Sequence, residues 1–120
     1  SEFSVFKAVL AYEKAPYIGA GKTFSFELIL LNNGLARSPL WADVKVFTSG
    51  GLTVPGGNEF TIPLQNTYRY EGKQRFSVCL NEMHGGTEDV YVTIGIGGRH
   101  SVGTIAAKLI CADMRDVTNE

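Results

Sequence analysis

Charge of either sign is scarce in this chain: 11 basic and 12 acidic residues among 120 leave a formal charge of −1 at pH 7, with no block of one sign. A surface that neutralises phosphates needs clustered lysine and arginine, so nucleic acid is not an expected partner. No apolar run approaches the roughly 20 residues that a helix needs to span a bilayer, and the N-terminus lacks the basic region and apolar stretch of a secretory signal. Membrane insertion is therefore not expected. Histidine and cysteine are limited to two each, and neither His-x3-His nor Cys-x2-Cys spacing occurs, so no metal site and no cofactor is expected. Sustained helical periodicity is also missing, which removes the α/β plans.

What is present is a series of short runs rich in β-branched and aromatic residues, divided by Gly, Pro and Asn clusters. Residues 4–12 form the first. In residues 22–33, Phe24, Phe26, Leu28 and Leu30 repeat at period two, with Thr23, Ser25 and Glu27 on the other face. That alternation describes a strand with one buried and one wet side. Asn33-Gly34 supplies a turn. Residues 40–48 then place Leu40, Ala42, Val44 and Val46 inward, with Trp41, Asp43 and Lys45 outward. A short Leu52-Thr53-Val54 and the Pro55-Gly56-Gly57 turn lead to residues 58–64, where Pro63 cannot donate a ladder hydrogen bond and predicts an edge strand or a bulge. Residues 73–81, 88–97 and 104–113 complete the set. The spacing predicts an all-β fold, a two-sheet immunoglobulin-like antiparallel sandwich of about seven strands.

At 120 residues the chain has the size of one domain and can bury roughly two-thirds of its unfolded surface. Ser1-Glu2-Phe3 reads as a cloning remnant, because Glu-Phe is what a common cloning site encodes. Residues 4–114 are expected to form the sandwich and 115–120 a tail.

Four groups invite a chemical reading. Gly19-Ala20-Gly21-Lys22-Thr23 ends like a phosphate-binding loop, but position 16 is Pro16 and a strand, not a helix, follows Thr23; a strand-entry turn is the expectation. Gly95, Gly97, Gly98 and Gly103 surround Arg99-His100 between two strands, the setting of a hairpin loop whose tip exposes Arg99 and His100. His84 and His100 with Glu82, Glu88 and Asp89 could form a metal or acid–base cluster only if separate loops converge, and solvated loops are the simpler expectation. No Gly-x-Ser-x-Gly is present for hydrolase chemistry. Cys79 shares parity with Ser77 and Asn81, whereas Cys111 shares parity with Ile105, Ala107 and Leu109. The two sulfurs thus face opposite sides of their strands and are expected to stay unpaired.

The aromatic residues are the candidate ligand-binding set: Trp41, on the outward parity of its strand, and Tyr68 and Tyr70. If residues 66–71 are extended, the two tyrosine rings project from one side, roughly 7 Å apart along the chain, near the span of one or two sugar rings. The alternative is that Trp41 packs in the core, as the tryptophan of strand C does in immunoglobulin domains, and that the tyrosines cap a sheet edge.

From about Tyr12 to Asp113 the layout resembles immunoglobulin-like accessory modules of bacterial surface proteins and glycoside hydrolases, of the CARDB kind. The resemblance is carried by Gly19-Ala20-Gly21-Lys22-Thr23-Phe24 opening a strand that ends in Asn32-Asn33-Gly34, then by Val44-Lys45-Val46-Phe47 and Val90-Tyr91-Val92-Thr93-Ile94. It implies a non-catalytic module that spaces, anchors or binds, with neighbouring domains, carbohydrate or a peptide as partners, and a cell-surface or extracellular setting. A second reading is an intracellular scaffold or trafficking domain that binds peptides along a sheet edge. Free cysteines and the absence of an Asn-x-Ser/Thr sequon leave the cytoplasm open. An enzyme acting alone is the least favoured reading.

Overall fold

The computed structural model describes residues 6–32, 40–65, 67, 69–97 and 103–112. Nine strands lie among them: β1 (Phe6–Ala11), β2 (Tyr17–Ile18), β3 (Thr23–Asn32), β4 (Leu40–Thr48), β5 (Leu52–Thr53), β6 (Glu59–Leu64), β7 (Glu71–Leu80), β8 (Thr87–Ile96) and β9 (Gly103–Cys111). One sheet runs β1-β3-β7-β5 and the other β2-β9-β8-β4-β6. The spatial orders β1-β3-β7 and β4-β8-β9 are the A-B-E and C-F-G orders of the immunoglobulin sandwich. Seven strands coincide with the seven sequence runs. The two extra strands, β2 and β5, are two residues each, too short to show a period.

Alternation builds the layers. In β3, Phe24, Phe26, Leu28 and Leu30 are buried while Thr23 and Ser25 are exposed. Phe76, Val78 and Leu80 of β7 lie beside them in the same sheet, and Ala42, Val44 and Val46 of β4 with Val90, Val92 and Ile94 of β8 meet them across the core. Phe26 stacks on Phe76, its register partner in the same sheet, with centroids 5.3 Å apart, and Phe60 of the other sheet lies 6.2 Å from Phe76 across the core. Tyr12 closes the far side, edge-on to Phe24 at 5.7 Å and to Phe26 at 5.8 Å. Edge-to-face and offset pairs of this kind add to the burial of the rings themselves.

One pair of strands departs from the antiparallel plan. After Ala11 the chain leaves the first sheet, and Pro16, Tyr17 and Ile18 join the second, running parallel to β9. Ile110 N–H donates to the Pro16 carbonyl at 2.8 Å and Ala112 N–H to that of Ile18 at 3.0 Å. Crossing between layers delivers the segment in the direction of β9, so the pairing must be parallel. As Pro63 predicts, β6 is an edge strand.

Two residues fix how β6 passes to β7. The Asn32 side chain, fully buried, donates to the Thr67 carbonyl at 2.9 Å and to that of Gln65 at 3.4 Å. A buried amide must find such partners, and here the partners are the loop itself. At Gly72 a Cβ would lie 2.8 Å from Leu64 Cδ2 and 3.1 Å from Ile62 Cγ2, so its lack of a side chain lets β7 approach β6. Asn33-Gly34, Arg99, His100 and Tyr68 lie outside the described residues.

Candidate functional site

Two features stand out, an exposed face and a buried polar cluster. Along β4 the outward positions are Trp41, Asp43, Lys45 and Phe47. Trp41 is 44% and Phe47 45% exposed, and Tyr91, directly opposite Phe47 on β8, is 42% exposed. Ile110 on β9 adds a fourth large apolar side chain at 40%. Parity puts all four on the outer surface of the five-stranded sheet. Trp41 and Phe47 are six residues apart, roughly 20 Å along an extended strand. Polar neighbours hold the rings in place: Trp41 Nε1–H donates to Asp43 Oδ2 at 3.2 Å, and Lys45 Nζ sits 5.4 Å from the Phe47 ring centroid. Thr61 Oγ1 donates to the other Asp43 oxygen at 3.4 Å. On the four-stranded sheet the outer positions Lys7, Thr23, Ser25 and Lys73 are polar and exposed, and Val9 is the one strongly exposed apolar side chain among the described residues there.

Trp41 thus faces outward on β4 and takes no part in the core. Tyr70 is half-buried, packs against the core and donates its hydroxyl to the Pro63 carbonyl at 3.4 Å. Because Pro63 is the register partner of Trp41, Tyr70 reaches the edge of the strand beside Trp41, from the interior. Arg69 has φ 65°, so the chain turns there and is not extended through it.

The buried cluster lies at one end of the sandwich, where the β4–β5 and β7–β8 connections meet the ends of β8 and β9. Glu88 is 7% exposed. Ser49 Oγ donates to Glu88 Oε2 and accepts from the Asp89 N–H at 2.7 Å. The other carboxylate oxygen, Oε1, lies 3.4 Å from His84 Nε2, which is itself 3.4 Å from Cys111 Sγ. A Cβ on Gly51 would collide with Glu88 Oε1, so a glycine is needed at that position. The Ser49 hydrogen bond is the main reason the Glu88 carboxyl titrates below its ordinary range; burial opposes it, and His84 and the Gly51 N–H reinforce it. Burial, with the Glu88 charge, pushes the Cys111 thiol up.

This arrangement is a clasp and not a nucleophile with its base. Gly86 N–H donates to His84 Nδ1 at 3.2 Å, which leaves the neutral ring's proton on Nε2, directed at Glu88 and Cys111. A ring in that state donates where a base would have to accept, and the neighbouring thiol is shifted away from thiolate. Among the described residues no group of three or more His, Cys, Asp or Glu is placed to hold a metal ion. The solvated-loop expectation for Glu88 and His84 is therefore replaced by convergence of the two, and the missed signal was parity: Glu88 falls on the inward phase of Val90, Val92 and Ile94. Cys79 and Cys111 are both free, Cys79 half-buried and Cys111 buried. Gly21, with φ 69°, and the Lys22 N–H bonded to the Gly19 carbonyl at 3.0 Å form the expected strand-entry turn.

No family model matches the chain, and no curated protein sequence does. Solved structures share its fold. Escherichia coli alpha-2-macroglobulin matches in two structures, with TM-scores of 0.66 and 0.67 at 16% and 15% identity over 86% and 88% of this chain. The chain spans only 6% and 16% of those two chains. A CARDB domain of a Pyrococcus furiosus protein, solved in complex with di-metal ions, matches with a TM-score of 0.57 at 14% identity over 90% of both chains. AvmM, which catalyzes macrocyclization in alchivemycin A biosynthesis, matches with a TM-score of 0.52 at 10% identity over 92% of this chain and 90% of its own. At these identities the likeness is one of fold, and the immunoglobulin-like sandwich is the common element.

Proposed function

We propose that this chain is a non-catalytic module of a larger protein, and that it spaces and orients neighbouring domains by docking one of them on the outer face of the five-stranded sheet. The observation that carries the reading is that four large apolar side chains, Trp41, Phe47, Tyr91 and Ile110, each 40–45% exposed, lie along that one face, with Phe47 and Tyr91 directly opposite each other. Scattered exposed apolar side chains are normal, but four on the outer surface of one sheet, with Asp43, Lys45 and Thr61 interspersed between Trp41 and Phe47, supply both apolar contact area and polar groups to fix orientation. Domain-sized pieces of a much longer chain, such as those matched in alpha-2-macroglobulin, have this need for lateral contacts.

The test is a double variant, Trp41→Ser with Phe47→Ser, made in a longer stretch of the parent polypeptide. Loosening of the domain arrangement, seen as a larger radius of gyration in solution scattering and faster proteolysis of the flanking linkers, is expected. An unchanged scattering curve refutes the docking reading.

A second reading is favoured by the Trp41 ring alone, which is exposed and held in orientation by Asp43: carbohydrate stacking on Trp41, with Tyr70 beside the neighbouring Pro63. Stacked rings usually account for a large part of such binding, so Trp41→Ala should weaken a glycan complex by about 1–3 kcal/mol. A glycan array showing no bound sugar removes this reading and leaves the docking reading intact.

A further inference from the structure

The hydrogen-bond phase of β9 leaves part of its edge without a paired strand among the described residues. Cys111 N–H donates to the Gly86 carbonyl at 2.9 Å, and the register with β8 is continuous from Ile110 to Gly103. By alternation, the odd-numbered residues of β9 direct their backbone groups to β8 and the even-numbered ones direct theirs away from it. On that outer side β2 reaches only Ile110 and Cys111. The N–H and C=O groups of Thr104, Ala106 and Lys108 therefore face a side on which, among the described residues, no strand pairs. The inward side chains report the same gap: Ile105 and Ala107 are only half-buried, whereas Val90, Val92 and Leu109 are fully buried.

Other long strands offer less to an added strand. β6 carries Pro63, and the Arg75 carbonyl on the open side of β7 is capped by Gln74 Nε2 at 2.9 Å. β1 has Phe6 and Ala8 already buried, so an added strand would cover little more there. The one charged residue on the open stretch of β9, Lys108, cannot serve as a guard in the usual way, because its Nζ is held by Asp89 Oδ1 at 2.8 Å.

We infer that this edge pairs with the same edge of a second copy of the chain, antiparallel about a two-fold axis at Ala106, joining two five-stranded sheets into one. The occupant follows from self-complementarity. Centring on Ala106 matches Thr104 with Lys108 of the other copy, and Ala106 with itself, so every outward-facing backbone pair on the open stretch is used. Gly103–Leu109 is used in full and the overlap stops where β2 begins. No like charges meet: the small Ala106 faces its mate, and Lys108 faces a threonine. Ile105 and Ala107 of one copy lie opposite Ala107 and Ile105 of the other, which completes their burial. A foreign peptide would fill the same slot but has no reason to select this register. The inference is independent of the docking reading, which concerns the face and not the edge.

Sedimentation equilibrium on the isolated chain over a micromolar to millimolar range is the test, with three variants. Unaltered protein should show a reversible monomer–dimer equilibrium. Ala106→Pro removes an N–H that points away from β8, so the circular dichroism spectrum should be retained while the dimer is lost. Thr104→Glu and Thr104→Lys should move the dissociation constant in opposite directions, tighter for Glu and weaker for Lys, by roughly 2- to 30-fold each, since two symmetric cross-strand charge pairs change at once. A chain that stays monomeric throughout, or a dimer indifferent to the charge at 104 and to proline at 106, overturns the inference.

Discussion

Replacing Ser49 by alanine removes one hydroxyl, and the clasp at the end of the sandwich predicts a cost out of proportion to its size. Ser49 Oγ donates to Glu88 Oε2 and accepts from Asp89 N–H, so its loss leaves a buried carboxylate oxygen and a backbone donor short of partners. Hydrogen bonds to charged groups contribute about 1.5–3 kcal/mol, and a loss of that size is expected in urea unfolding at neutral pH. The melting temperature should fall on the order of 4 °C for each kcal/mol. The pH dependence identifies the mechanism. Glu88 titrates below its ordinary value of 4.5 in the folded state, so the unfolded chain binds this proton more readily. The stabilisation is complete above the unfolded value and is lost as pH falls through the lower folded value. Since Ser49 is the first cause of the shift, the variant has less to lose on acidification. The gap between wild type and Ser49→Ala should therefore narrow from pH 7 to acid. A loss below about 0.5 kcal/mol at neutral pH, the level of an ordinary surface change, or a gap that does not vary with pH, would refute the clasp.

Further outcomes follow from the same geometry. Gly51→Ala drives a methyl into the Glu88 carboxylate and Gly72→Ala drives one into Leu64; each should destabilise by about 1–3 kcal/mol in urea unfolding, as overpacking does. Asn32→Ala leaves the Thr67 carbonyl without its buried amide donor and should cost about 1–3 kcal/mol, with faster amide exchange confined to the β6–β7 connection. Alkylation of the denatured, unreduced chain should modify both Cys79 and Cys111, read as two adducts by mass spectrometry; an unmodified mass would reveal a bridge.

The sandwich was legible because its long strands carry an uninterrupted period of two. Phe24 to Leu30, Ala42 to Val46 and Val90 to Ile94 fix which face is buried, and that same parity placed Trp41 outside and kept Cys79 from Cys111. Pro63 announced an edge through its missing donor. Where the sequence reading fell short, the information was non-local. Two residues, Tyr17 and Ile18, show no period, and only the position of β9 makes them a strand. Glu88 follows the apolar phase of β8, but its polarity spoke for a loop, and nothing local reveals that Ser49, Gly51 and His84 converge to satisfy it. Residues 66–71 were expected to be extended if they formed a ring platform; Arg69 in the left-handed region turns the chain there instead. The face itself was half legible: Trp41 was singled out, while Phe47 and Tyr91 were read as strand residues, because their adjacency depends on the β4–β8 register.

Oxidative footprinting of Trp41 and Tyr91 tests the docking face most directly, comparing the isolated chain with the same module inside a longer stretch of its parent polypeptide. In the isolated chain both rings should react readily, as their exposure requires. In the longer polypeptide both should become protected while Tyr12, which packs on Phe24 and Phe26 of the four-stranded sheet and is 45% exposed, keeps its reactivity. Equal modification of Trp41 and Tyr91 in the two settings would contradict the account.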